Sequence, residues 1–105
     1  MTTNYSKLVR DLIPEIIEKT GQRPIIRILD EEEYAVQLNA KLNEEVQEYL
    51  ESGEVEELAD IAEVIEAILA HKGVSVEELM RIKAEKKAGR GGFEKQILLI
   101  QVDSE

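Results

Sequence analysis

The stretch from Glu31 to Lys72, EEEYAVQLNAKLNEEVQEYLESGEVEELADIAEVIEAILAHK, decides the fold of this chain. Placed at about 100° per residue, its apolar positions form two helical stripes rather than an alternating strand pattern. The first stripe is Ala35, Leu38, Leu42, Val46 and Tyr49. Asp30 with Glu33 three residues later makes a capping-box pattern that opens this helix, expected from about Glu31 to Glu51. Ser52-Gly53 then stops it. A further helix, expected from about Glu54 to Lys72 and stopped by Gly73, carries Leu58, Ile61, Ala62, Val64, Ile65, Ile68 and Leu69 over about half its circumference. Ala59 and Ala67 widen that zone, so this helix is expected to be the most deeply buried and to pack on at least two neighbours.

Several acids fall where burial should exclude them. Glu45 projects within about 20–60° of Leu38, Leu42 and Tyr49, inside the apolar stripe, and Glu48 lies at its edge. Glu57 falls between Val64 and Ile68, and Asp60 beside Val64 and Ala67. A bare carboxylate there costs several kcal/mol or stays protonated, and a divalent cation removes that cost. The short turn makes the helices antiparallel. Reflected about it, Glu48 faces Glu57 and Glu45 faces Asp60, two rungs separated by roughly 4.5 Å along the hairpin. Helices packed at about 8–10 Å can bring such side chains to one or two ions. Oxygen-only ligation suits Mg²⁺ or Mn²⁺. The plainer reading is a pair of solvated acidic faces, since Glu-x-x-Glu spacing arises often in Glu-rich helices. Neither helix carries the Glu-x-x-His of a di-iron protein. The lone His71, in the last turn of its helix, reads as a C-terminal cation or cap.

Outward from this hairpin, Pro14 opens a short helix ending near Thr20-Gly21. Ser75 with Glu78 forms a second capping box, opening a last helix expected to end near Ala88, before Gly89. Ile25–Leu29 and Ile97–Val102 have β-like composition and are each other's only candidate partners. The expected fold is therefore an all-α, four-helix arrangement in one domain of 105 residues, with a minor two-stranded β element at most.

The net charge of −10 argues against a nucleic-acid polymer as partner. Its distribution is uneven. Between Asp30 and Glu66 there are fourteen acids and one base, Lys41, whereas Arg81 to Lys95 holds six bases against Glu85 and Glu94. The absence of cysteine excludes disulfide and thiolate chemistry. No apolar run approaches the roughly 18 residues of a membrane span. The N-terminus lacks the apolar core of a signal peptide, so a cytoplasmic setting without a membrane partner is expected. A core this small favours self-association as a dimer or tetramer.

At the two acidic motifs the chain resembles a known family. Glu44-Glu45-Val46-Gln47-Glu48 followed by Glu57-Leu58-Ala59-Asp60 is similar to the Glu-Glu-x-x-Glu … Glu-x-x-Asp signature of the MazG-like, all-α nucleoside triphosphate pyrophosphohydrolases. Tyr5-Ser-Lys-Leu-Val-Arg-Asp-Leu-Ile-Pro14 and Lys83, Lys86, Lys87 and Arg90-Gly-Gly-Phe93 look like the phosphoribosyl-ATP pyrophosphohydrolase-like branch. The resemblance spans roughly residues 5 to 93, with a gap between Glu48 and Glu57 shorter than is usual for that superfamily.

What the resemblance implies is a four-helix MazG-like bundle and Mg²⁺-dependent hydrolysis of the α–β phosphoanhydride of a nucleotide. It implies Glu45, Glu48, Glu57 and Asp60 as metal ligands, with Glu44 beside Glu45 as a base or water orienter. The carboxylates hold the ion and can accept a proton from the attacking water. Lys83, Lys86, Lys87 and Arg90 are the candidates for substrate phosphate, and Gly91-Gly92 would let backbone N–H groups approach it. A basic last turn complementing the helix dipole explains the same residues without a ligand. Lys7 and Arg10 are further phosphate candidates, equally suited to a surface or intersubunit ion pair. The substrate is expected to be a nucleoside triphosphate, including non-standard or damaged ones, or alternatively phosphoribosyl-ATP. A non-catalytic acidic helical module for metal or partner binding is the reading from outside enzymology.

Overall fold

The computed structural model describes residue 2 and residues 5–104. Among the described residues the structure is all-α, with four helices in the order α1 (Ile13–Lys19), α2 (Glu31–Ser52), α3 (Val55–Lys72) and α4 (Val76–Arg90). The chain forms two compact units, Met1–Gly73 and Val74–Glu105.

In the first unit the local signals act as written. The Asp30 carboxylate accepts from the Glu33 N–H at 2.9 Å, and the Glu33 side chain reciprocates toward the Asp30 N–H, completing the capping box of α2. Arg27 then grips Glu33 through two hydrogen bonds of 2.9 and 2.8 Å. That fork, with the Asp30 backbone contact, holds the Glu33 carboxyl down at about 2. At the other end of α2, Gly53 takes the left-handed conformation at φ 69°, and its N–H donates to the Tyr49 carbonyl. Ser52 Oγ accepts from the Glu54 N–H at 3.1 Å, tightening the turn into α3.

The hairpin is antiparallel, with α2 packed on α3 and the end of α3 beside the start of α2. Its far end is closed by His71 Nδ1, 3.1 Å from Glu31 Oε2, with the Tyr34 ring edge-on to the imidazole at 5.3 Å. His71 thus serves an inter-helix contact as well as the C-terminal position expected of it. Leu38 from α2 and Val64 from α3 are the buried apolar residues of the core, at 3% and 8% exposure. The depth of burial expected for α3 is not reached. Ile61, Ile65, Ala67, Ile68 and Leu69 are half-buried, and Leu58, Ala59 and Ala62 are exposed. One neighbouring helix covers only one side of an apolar zone that spans about half a circumference.

Among the described residues there is no strand, so the fold is all-α without the minor two-stranded element that the sequence allowed at most. Residues 25–29 and 97–102 are non-helical and expose Ile25, Ile26, Ile28 and Ile97, Leu98, Leu99, Ile100 and Val102. β-branched composition favours an extended backbone, but a ladder needs a second strand in register.

In the second unit Ser75 Oγ caps α4 by accepting from the Glu78 N–H at 3.1 Å. The box is only half made, because Glu78 turns its carboxylate to the Arg81 guanidinium instead. α4 also continues past Gly89 to Arg90, and the left-handed φ of 83° falls at Gly91. A glycine weakens a helix interior by only about 1 kcal/mol, which the flanking turns tolerate.

Candidate metal centre

The register of the hairpin brings acids from both helices to one place. Single carboxylate oxygens of Glu45, Glu57 and Asp60 lie within 4.8 Å of one another. Glu45 comes from the middle of α2, and Glu57 and Asp60 sit one turn apart on α3. Glu57 and Asp60 are half-buried, whereas Glu45 is buried, at 6% exposure. Glu48, the fourth expected member, is exposed and stands outside this group.

Electrostatics mark Glu45 as the unusual member. Desolvation by burial pushes its carboxyl above the ordinary glutamate range, opposed by a hydrogen bond from Lys41 and reinforced by the neighbouring Glu48 carboxylate. Its Oε1 lies 3.3 Å from Lys41 Nζ. Its Oε2 is buried and has no hydrogen-bond partner among the described residues. Such an oxygen carries a desolvation penalty of about 1–3 kcal/mol, more when charged.

Three cations of the chain surround the acids. Lys7 Nζ is 2.9 Å from Glu44 Oε1, and Lys41 Nζ is 3.1 Å from Glu44 Oε2. The Lys7 contact leads in holding the Glu44 carboxyl below its ordinary range. Arg10 Nη2 is 2.7 Å from Asp60 Oδ1. The segment before α1 therefore reaches α2 through Lys7 and α3 through Arg10. Of the two roles open to these residues from sequence, the structure displays ion pairing within the chain.

Lys41 is the residue that sequence reasoning passed over. Its side chain is only 18% exposed, and the signal was present in Lys41-x-x-Glu44-Glu45, where spacings of three and four residues place all three on one face. Lys83, Lys86, Lys87 and Arg90 lie on α4 in the second unit, spaced to share a face of that helix, and all are exposed. Lys87 Nζ stands 3.5 Å from Glu94 Oε1.

Glu45, Glu57 and Asp60 are thus a group of acids that could together hold a metal ion.

Comparison with known proteins adds little to this geometry. No family model matches the chain. A segment of 43 residues is 54% identical to an uncharacterized protein of Mycolicibacterium smegmatis, covering 41% of this chain and 44% of that protein. The chain thus matches less than half the length of that relative. No solved structure matches. Among the described residues no helix is long and apolar enough to cross a membrane.

Proposed function

We propose that this protein is a divalent-cation-dependent nucleotide pyrophosphohydrolase, cutting the α–β phosphoanhydride of a nucleoside triphosphate to monophosphate and pyrophosphate. The observation that carries the reading is the meeting of Glu45, Glu57 and Asp60 oxygens within 4.8 Å of one another, together with the burial of Glu45, whose Oε2 has no partner among the described residues. The class of substrate comes from the resemblance of the two acidic motifs to the MazG-like enzymes, and phosphoribosyl-ATP offers the same type of bond.

Glu45, Glu57 and Asp60 would hold the ion, with Mg²⁺ the first candidate and Mn²⁺ the second. Glu48, whose carboxylate neighbours that of Glu45, would be the fourth ligand that the resemblance implies. When bound, the ion neutralises charge on phosphate oxygens and lowers the pKa of a coordinated water. Glu44, held ionised by Lys7 and Lys41, is a weak proton acceptor and better suited to orienting water than to taking its proton. With the neighbouring Glu48, five carboxylates (Glu44, Glu45, Glu48, Glu57, Asp60) face three cations (Lys7, Arg10, Lys41), an excess of two negative charges that a divalent ion would neutralise. Arg10 is tied to Asp60 and would be released for a substrate phosphate once an ion takes that carboxylate. Self-association would cover the apolar residues left exposed on the hairpin.

The same ion pairs favour a second reading. An acidic helical module whose carboxylates are neutralised by Lys7, Arg10 and Lys41 needs no metal and performs no catalysis. The two are separated by measuring pyrophosphate release over a panel of standard and damaged triphosphates and phosphoribosyl-ATP, with Mg²⁺ and with EDTA. Mg²⁺-dependent release from at least one substrate is expected. No release from any of them would favour the module.

A further inference from the structure

We propose that Lys41 is a positioning residue of the carboxylate centre, holding Glu44 and Glu45 in one arrangement and leaving the second Glu45 oxygen open to the ion shared with Glu57 and Asp60. This rests on the cluster being a cation site.

The pairing geometry is informative. Lys41 contacts Glu44 at 3.1 Å and Glu45 at 3.3 Å, three and four residues further along α2. A lysine on the N-terminal side of its glutamates is the poorer order for supporting a helix, so helix stability does not explain the contact. Lys7 and Arg10 are exposed side chains whose pairs exchange readily with water, whereas Lys41 is largely covered. Burial pulls the Lys41 ammonium down, but hydrogen bonds to Glu44 and Glu45 outweigh it and keep it charged.

Glu45 is the member this contact matters to most. It is the buried acid of the cluster, and Lys41 engages one of its two oxygens while the other has no partner among the described residues. A carboxylate with one oxygen tied has lost most of its freedom to rotate, and its remaining lone pairs are aimed in one direction. This is the arrangement by which outer partners orient a metal-ligating carboxylate. A cation placed there for charge alone would work against the site, because it repels the incoming ion. The two roles therefore predict opposite consequences of losing the ammonium.

The test is Mn²⁺ binding to the intact chain, read from the electron paramagnetic resonance signal of free Mn²⁺, in wild type, Lys41→Met and Lys41→Arg. Lys41→Met keeps the apolar stem and is expected to weaken binding by about 10-fold or more, within the range found for lost outer partners. Lys41→Arg, with the charge kept but its donors displaced, is expected to recover part of that loss. Unchanged or tighter binding in Lys41→Met overturns the proposal. If circular dichroism shows Lys41→Met unfolded, Lys41→Arg decides alone: a several-fold loss supports positioning, and wild-type affinity overturns it. Wild type that binds no Mn²⁺ sinks the cation site and Lys41 with it, whereas binding that neither variant alters sinks Lys41 only.

Discussion

Replacing Glu45 with leucine should make the metal-free protein more stable while removing its response to Mg²⁺. Glu45 is 6% exposed, one of its oxygens is unpartnered, and its carboxyl is pushed above its ordinary range chiefly by burial. Removing an unsatisfied buried acceptor recovers about 1–3 kcal/mol. Burying a leucine in its place adds up to about 1.5–3 kcal/mol, reduced here by an imperfect fit to a carboxylate-shaped site. Against this stands the Lys41–Glu45 contact at 3.3 Å, whose loss is softened because Lys41 keeps Glu44 at 3.1 Å. Lys41, largely covered and left with one partner instead of two, loses about 1–2 kcal/mol. The net is a gain of about 2 kcal/mol in EDTA, or roughly 10 °C in Tm for a domain of this size. Wild type should instead gain stability with Mg²⁺, by about 2.7 kcal/mol at a hundredfold excess over Kd. Thermal denaturation followed by far-ultraviolet circular dichroism, with EDTA and with Mg²⁺, reads both effects. A Glu45→Leu protein that melts below wild type in EDTA would mean that the carboxylate is already satisfied, and the argument for a missing cation would fail.

Glu57→Gln should lower pyrophosphate release by about 100-fold or more while the helical spectrum is kept, because it removes a ligand without removing volume; near-normal turnover would take Glu57 out of the site. Acid should weaken the fold partly through Glu33. Its folded value of about 2 lies below the ordinary 4.5, so its stabilisation is full above 4.5 and lost as pH falls toward 2. In Arg27→Met that part of the acid loss should vanish, which urea melts at pH 5 and pH 3 will show; an unchanged difference refutes the assignment. Leu50, Val55 and Leu58 leave an apolar surface around the hairpin turn, so light scattering at micromolar concentration should give a mass above the 11.9 kDa of one chain. A monomeric mass would refute this.

Local interactions are the part of this protein that its sequence determines. Asp30 and Glu33 begin α2, Gly53 turns it, Gly73 ends α3 and Ser75 begins α4, because each signal acts within one helical turn of its own position. The meeting of Glu45 with Asp60 and Glu57 was also legible, since a two-residue turn leaves an antiparallel hairpin little freedom of register. Contacts between segments distant in sequence were not. Periodicity placed Glu48 at the edge of the stripe without showing that it falls outside the cluster. Nothing local announced that Lys7 and Arg10 would reach Glu44 and Asp60, 37 and 50 residues away. Residues 25–29 and 97–102 carry strand composition but find no ladder among the described residues, because pairing requires a partner that composition cannot supply. Tertiary structure decided these points, and for one reason: a capping bond or a glycine turn closes within a few residues, whereas an ion pair or a strand pair exists only after the chain has brought its distant parts together.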